Sequence, residues 1–93
     1  MREKLIEQKL IKAVKDIGGI ALKIVSPGFD GKPDRLILLP NRKAAFVEVK
    51  APGKTLRPLQ EKRKRQLEAL GFFFFFLDHI EQIGGILREI QAS

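Results

Sequence analysis

Two acidic residues and a lysine fall where the surrounding chain is apolar. Glu48 and Lys50 interrupt the end of the run 44–50 (AAFVEVK), and because side chains alternate along a strand, both lie on one face. Asp34 directly precedes a second apolar run, 35–39 (RLILL). Two ionised carboxylates that meet repel each other unless a cation or a proton separates them. These residue types indicate a site for a hard cation, Mg²⁺ or Mn²⁺, held by oxygen ligands together with substrate phosphate and water.

The turn between the two runs decides whether the carboxylates meet. Residues 40–43 (PNRK) are turn formers, so the runs predict a hairpin. A loop centred on Asn41 places Asp34 opposite Glu48, with Cβ atoms roughly 4.5–5.5 Å apart. A two-residue loop would instead place Asp34 opposite Val49. The sequence leaves both registers open.

In the first register the three side chains suit phosphodiester hydrolysis. Lys50 lies one pleat from Glu48, where it could orient a metal-bound water and stabilise charge that develops on a phosphoryl group. The alternative is a surface hairpin whose Asp34, Glu48 and Lys50 are only solvated or ion-paired. Spacing and composition do not separate the two interpretations.

Composition narrows the class of protein. The chain has 93 residues, 18 Lys plus Arg against 11 Asp plus Glu, a formal charge of +7 and no Cys. The length predicts one domain, 1–93, and the absence of Cys excludes zinc fingers, iron–sulfur clusters and a Cys nucleophile. The positive charge favours a polyanionic partner such as nucleic acid. No apolar run is long enough to span a membrane and no signal-peptide core is present, so we expect a cytoplasmic protein.

Periodicity predicts an α/β fold with the element order α-β-β-β-α-β-α. Helices and strands are separated by Gly and Pro signals, and the helix between the third and fourth strands makes those strands parallel in a mixed sheet flanked by helices. We expect the apolar run 72–77 to be a strand buried on both faces, and Leu59, Leu67 and Leu70 to face inward from the second helix. The predicted elements are helices 3–17, 58–70 and a last one from about 80, and strands 20–25, 35–39, 44–50 and 72–77.

An ordered set of motifs resembles a known family. Pro33-Asp34, a hairpin and then Glu48-Val49-Lys50 are similar to the PD-(D/E)xK nuclease signature. The wider pattern resembles the stand-alone, phage-type members of the virus-type replication-repair nuclease (VRR-NUC) family, over nearly the whole chain. The matching segments are 26–28 (SPG), 31–35 (GKPDR), 46–53 (FVEVKAPG), 59–60 (LQ) and 67–71 (LEALG). The resemblance implies a restriction-endonuclease-like core, αβββαβ, with an added C-terminal helix.

The resemblance also implies roles for single residues. Asp34 and Glu48 would be metal ligands, Val49 would add its backbone carbonyl, and Lys50 would be the catalytic lysine. Gln60 matches the family's glutamine at the start of the second helix, where it could orient Lys50 or a phosphate.

The family places a further acid on the first helix, for metal binding and catalysis. We assign it to Glu7, which flanks the apolar stripe, with Glu3 as the second candidate.

The second helix and a glycine-rich loop offer nucleic-acid contacts. Lys62, Arg63, Lys64 and Arg65 form a basic run that would contact backbone phosphates without reading sequence. Residues 26–32 could wrap a substrate strand, where Phe29 either stacks on a base or, as we favour, anchors the loop.

These observations favour an Mg²⁺- or Mn²⁺-dependent endonuclease. The resemblance to stand-alone family members, which are similar to dimeric Holliday-junction resolvases, implies a homodimer that cuts branched DNA such as Holliday junctions. Ile83, Leu87, Ile90 or the first helix could supply the dimer interface. One alternative is a non-catalytic basic module that binds nucleic acid, and another is a nuclease that prefers flaps or nicked duplex.

Overall fold

The computed structural model describes residues 2–93, so Met1 of the predicted domain lies outside the described part. The element order agrees with the sequence prediction, and the boundaries move by only a few residues. A short 3₁₀ turn, Ile80–Gln82, leads into the last helix. The elements are α1 Glu3–Asp16, β1 Ile20–Lys23, β2 Arg35–Leu39, β3 Lys43–Val49, α2 Pro58–Ala69, β4 Phe73–Leu77 and α3 Ile83–Gln91.

The four strands form one mixed sheet in the order β1-β2-β3-β4. β1 pairs with β2 and β2 with β3 in antiparallel fashion, whereas β3 and β4 are parallel and joined through α2, as predicted. Arg35 pairs with Val47 and Leu39 with Lys43, which leaves a three-residue turn centred on Asn41. This is the register that places Asp34, one residue before β2, opposite Glu48, and the two-residue loop is excluded.

One face of the sheet packs on α1 and α3. Ile6, Leu10 and Val14 recur every four residues on α1 and are fully buried, because this spacing keeps them on one side of a helix. They join an apolar cluster with the side chains of β2, β3 and β4 that point to this face and with four residues of α3. The α3 members are Ile83, Ile86, Leu87 and Ile90.

The burial of α3 changes the expected dimer interface. Ile83, Leu87 and Ile90 are at most 6% exposed, so they pack inside the protein and are not available to a second copy. The expectation that they supply the interface is therefore wrong.

The other face is covered only in part, by α2 over β3 and β4. Of the three leucines expected to face inward from α2, only Leu67 does, while Leu59 is 40% and Leu70 69% exposed. The expectation failed because the inward position near the start of α2 is taken by a polar residue, Gln60, which contacts Glu48.

The β1–β2 half of this second face is open. Leu38 alternates with core residues of β2 and pairs with Ile20, so both side chains lie on the face away from α1. Ile20 is 58%, Leu22 44% and Leu38 36% exposed. These three residues, called the open apolar face below, have no covering element among residues 2–93.

The phenylalanine-rich strand lies at the sheet edge. Phe74 and Leu77 are buried, but Phe73 is exposed and Phe75 and Phe76 are half-buried, so the expectation of burial on both faces is wrong for β4. An edge strand has a neighbour on one side only, which leaves its flanks open to solvent.

No helix between residues 2 and 93 has the length and apolar character needed to cross a membrane.

Candidate active site

Asp34 lies where the loop after β1 enters β2. The backbone N–H of Val49 donates a hydrogen bond to Asp34 Oδ2 at 2.8 Å, which holds the carboxylate against the end of β3. The backbone N–H of Ile24 donates to the Asp34 carbonyl at 3.1 Å and fixes the main chain. Burial raises the pKa of Asp34, and the charge of Glu7 acts in the same direction, whereas the Val49 hydrogen bond opposes both.

Glu48 is a buried carboxylate with one unsatisfied oxygen. Its side chain is 3% exposed, and Oε2 accepts a hydrogen bond from Gln60 Nε2 at 2.8 Å and lies 3.3 Å from Lys50 Nζ. Oε1 is buried with no hydrogen-bond partner among the described residues. Burial, followed by repulsion from Asp34, raises the pKa of Glu48 to about 7. A buried acceptor without a partner is costly, so this oxygen is available as a ligand for a cation.

Gln60 is held in one orientation by its own helix. The backbone N–H of Arg57 donates to Gln60 Oε1 at 2.9 Å, so the amide group turns its Nε2 donor toward Glu48. The family resemblance suggested that Gln60 orients Lys50 or a phosphate. In the structure it contacts the neighbouring carboxylate instead, and it restrains the Glu48 oxygen that Lys50 also approaches.

The acids of α1 reach the site but do not complete a ligand set. Glu3 and Glu7 line a cleft of about 310 Å³ together with Asp34. Glu7 Oε2, however, accepts a hydrogen bond from Arg35 Nε at 2.8 Å, and Arg35 Nη1 also donates to the carbonyl of Ala21 at 3.2 Å. Within residues 2–93, no three Asp, Glu or His side chains are grouped closely enough to form a complete metal site.

The basic run on α2 divides into residues with and without partners. Lys64 pairs with Glu68 at 3.0 Å, and Arg65 lies 4.0 Å from Glu61. Lys62 is exposed on the same helix, free of ion pairs with residues 2–93.

Arg63 does not point to solvent but holds the glycine-rich loop. Its Nε donates to the carbonyl of Asp30 at 2.7 Å, and its guanidinium lies 4.1 Å from the centre of the Phe29 ring. Phe29 is therefore a loop anchor, as favoured from the sequence. The loop contact of Arg63 was not predicted, because a basic run gives no sign of which cation turns back onto the protein.

The site thus brings together the side chains of Asp34, Glu48, Lys50 and Gln60. Val49 contributes only its backbone, because its side chain lies in the apolar core. Two carboxylates with raised pKa values, one unsatisfied oxygen and an adjacent lysine can bind a hard cation and stabilise negative charge on a phosphoryl oxygen. The mixed sheet, the helices on both of its faces and the placement of these residues define a restriction-endonuclease-like α/β fold.

Comparison with known proteins places the chain in a family. No family model matches the sequence. "Putative nuclease p44" from Acyrthosiphon pisum secondary endosymbiont phage 1 is 51% identical over 91 residues, which cover 98% of this chain and 97% of the relative. A solved structure described as "VRR_NUC domain" has the same fold, with a TM-score of 0.87 at 24% identity over 92% of this chain and 94% of its own. The chain therefore belongs to the same family as this phage relative and has the fold of the VRR_NUC domain, so the predicted fold class is confirmed.

Proposed function

We propose that this chain is a metal-dependent endonuclease that hydrolyses phosphodiester bonds in DNA, with residues 1–93 as a single nuclease domain. The observation that carries the proposal is the buried, unsatisfied Oε1 of Glu48, in a carboxylate that also faces Asp34 and Lys50. The name of the phage relative supports nuclease activity.

The residues present fit a divalent cation. Asp34, Glu48 and the backbone carbonyl of Val49 would hold Mg²⁺ or Mn²⁺, with Glu7 or Glu3 adding negative charge from α1. A bound cation supplies Lewis-acid polarisation of the phosphate and lowers the pKa of a coordinated water. It would also offset the burial, and the repulsion from neighbouring carboxylates, that raise the pKa values of Asp34 and Glu48.

The other side chains act on the substrate and on the ligands. Lys50, 15% exposed, presents its ammonium group at the site, where it would stabilise charge on the scissile phosphate and orient the attacking water. Gln60 does not contact the substrate in this proposal. It fixes Glu48 through the 2.8 Å hydrogen bond, as outer partners of metal ligands do.

The proposed substrate is branched DNA such as a Holliday junction, and the proposed assembly is a homodimer. The formal charge of +7 favours a polyanion. A two-fold pair of copies would present two sites to a junction that is itself close to symmetric.

The open apolar face offers the dimer interface in place of α3. Ile20, Leu22 and Leu38 form an exposed apolar surface on β1 and β2. A typical interface covers roughly 800 Å² of each partner, which is about 13% of the 5946 Å² surface of this chain. A relative encoded by a phage fits the expected place of action in the cytoplasm of a host cell.

A substrate panel tests the activity. Labelled four-way junction, flap, nicked duplex and single strand are incubated with the protein, with and without Mg²⁺ or Mn²⁺. We expect metal-dependent cleavage of the junction that disappears in Asp34→Ala and Lys50→Ala and persists in the control Asp16→Ala, which changes an exposed acid of α1. Binding without cleavage under all conditions would support the non-catalytic module, and preferential cutting of flaps or nicks would support that alternative substrate.

Light scattering tests the assembly. We expect a dimer that Leu22→Glu converts to a monomer with an unchanged circular dichroism spectrum. A wild-type monomer at high concentration that still cuts junctions symmetrically would contradict the homodimer.

A further inference from the structure

A groove next to the site takes no part in the proposed metal binding and hydrolysis. It has a volume of about 640 Å³ and lies between the glycine-rich loop and the start of α2, lined by residues 30–32 and 57–60. Gln60 connects the groove to the site, since it lines the groove and donates to Glu48. On the loop side, Lys32 is separated from Asp34 only by Pro33, which is buried.

The walls of this groove are fixed by contacts within the protein. Arg63 holds the loop through the Asp30 carbonyl at 2.7 Å and through the face of Phe29. Gly31 has φ +79 and approaches α2 so closely that a Cβ atom there would lie 2.9 Å from the backbone of Leu59. The loop is therefore seated on the helix, and the groove between them is formed before any ligand arrives.

The lining combines cations with apolar surface. Lys32 and Arg57 both line the groove, and neither makes an ion pair within 4.0 Å with any residue from 2 to 93. Leu59 is 40% exposed and follows Pro58, so an apolar strip runs beside the two cations. Asp30, the single acid of the lining, offsets only one of the two positive charges.

We propose that this groove binds one unpaired nucleotide of the substrate strand beside the scissile bond. Its phosphate would contact Lys32 and Arg57, and its sugar or base would lie on Leu59. The volume of about 640 Å³ is in the range of small-ligand sites, about 300–1,000 Å³, which is enough for one nucleotide. The inference rests on the proposed nuclease function and adds that the bound strand is locally unpaired, as it would be where base pairs open at a branch point.

Binding without cleavage tests the groove. The affinity of the full chain for a fluorescein-labelled single strand and for a matched duplex is measured by anisotropy in EDTA, over a series of salt concentrations. The test variant is Lys32→Ala/Arg57→Ala. The control variant is Lys12→Ala/Lys15→Ala, which removes the same charge from exposed positions near the C-terminal end of α1.

The expected result is specific to the single strand. Each lost phosphate contact lowers the slope of log affinity against log salt by about 0.7, so the test variant, which loses its contact with one phosphate, loses about 0.7 in slope and the control loses none. A single strand with one uncharged methylphosphonate is then scanned. We expect one linkage at which the substitution weakens wild-type binding and leaves binding by the test variant unchanged.

Other results would overturn the inference. If the test variant keeps the wild-type slope, or loses affinity for duplex as much as for single strand, the groove does not bind an unpaired nucleotide. If the wild-type protein cuts DNA but the test variant gives either of these results, the proposed function stands and only the inference about the groove fails. A wild-type protein that binds no DNA would contradict both.

Discussion

The two faces of the sheet differ most clearly along β3, whose alternate side chains point to both. Toward α1 and α3 it presents Val47 and Val49, which are buried among apolar neighbours. Toward α2 it presents Glu48, followed beyond the strand by Lys50, with one carboxylate oxygen left unsatisfied. The apolar face stabilises the fold, whereas the α2 face carries charges that repel each other. We infer that packing on the apolar face provides the stability that allows the α2 face to hold carboxylates that repel each other.

The first prediction removes packing from the apolar face. Leu10→Ala deletes a fully buried side chain of α1 and should lower the free energy of unfolding by about 2–5 kcal/mol. Urea denaturation followed by circular dichroism measures the loss. At temperatures where the variant is folded, its cleavage rate should match the wild type, because Leu10 does not contact the site. A rate loss in fully folded Leu10→Ala would show that the two faces are not separable.

The second prediction removes a charge from the polar face. Lys50→Met should reduce the single-turnover cleavage rate by about 10²–10³-fold, because the stabilising charge at the phosphate is lost. DNA affinity in EDTA should change little, and Lys15→Met, an exposed lysine on α1, should cleave at the wild-type rate. Equal rates for the two variants would remove Lys50 from the reaction.

The sequence narrowed the register to two alternatives because turn placement depends on local information, and the structure selected the one that pairs Asp34 with Glu48. Turn formers at 40–43 and two apolar runs place the loop, and period-two alternation then assigns the faces. The burial of α3 and the exposure of Leu70 could not be predicted, since they depend on how much of the sheet each helix covers.

Which side chains contact one another within the site was harder to predict than where each residue lies. The sequence places Glu7 and Arg35 on different elements, and nothing in their spacing indicates the 2.8 Å ion pair between them. Gln60 was singled out by family resemblance alone, and its partner, Glu48, became evident only from the fold.

The third prediction uses pH to measure the strain on the polar face. Glu48 has a pKa of about 7 in the folded, metal-free chain, against 4.5 as its ordinary value. Between these values the unfolded chain loses its proton while the folded chain keeps it, so stability falls as pH rises and the full penalty is present above pH 7. Glu48→Gln does not titrate. Its stability relative to wild type should therefore increase from pH 4 to pH 8, by about 3 kcal/mol.

Urea denaturation of both proteins in EDTA at several pH values measures this difference. A constant difference across the range would mean that Glu48 has an ordinary pKa. Glu81→Gln, at an exposed position of the 3₁₀ turn, is the control and should show no trend.

The fourth and smallest effect concerns the residue that restrains Glu48. Gln60→Ala removes the hydrogen bond to Glu48 Oε2 and should weaken Mn²⁺ binding by about 10–100-fold without abolishing it. Calorimetric titration measures the affinity, with the exposed Gln8→Ala as control. Unchanged affinity in Gln60→Ala would mean that the hydrogen bond serves packing only.

The most direct test of the account is Mn²⁺ binding followed by electron paramagnetic resonance at pH 8, without DNA. We expect saturable binding to the wild-type chain, loss of that binding in Asp34→Asn, and wild-type binding in Asp16→Asn, which removes an exposed charge from α1. Equal Mn²⁺ binding by Asp34→Asn and the wild type would contradict it.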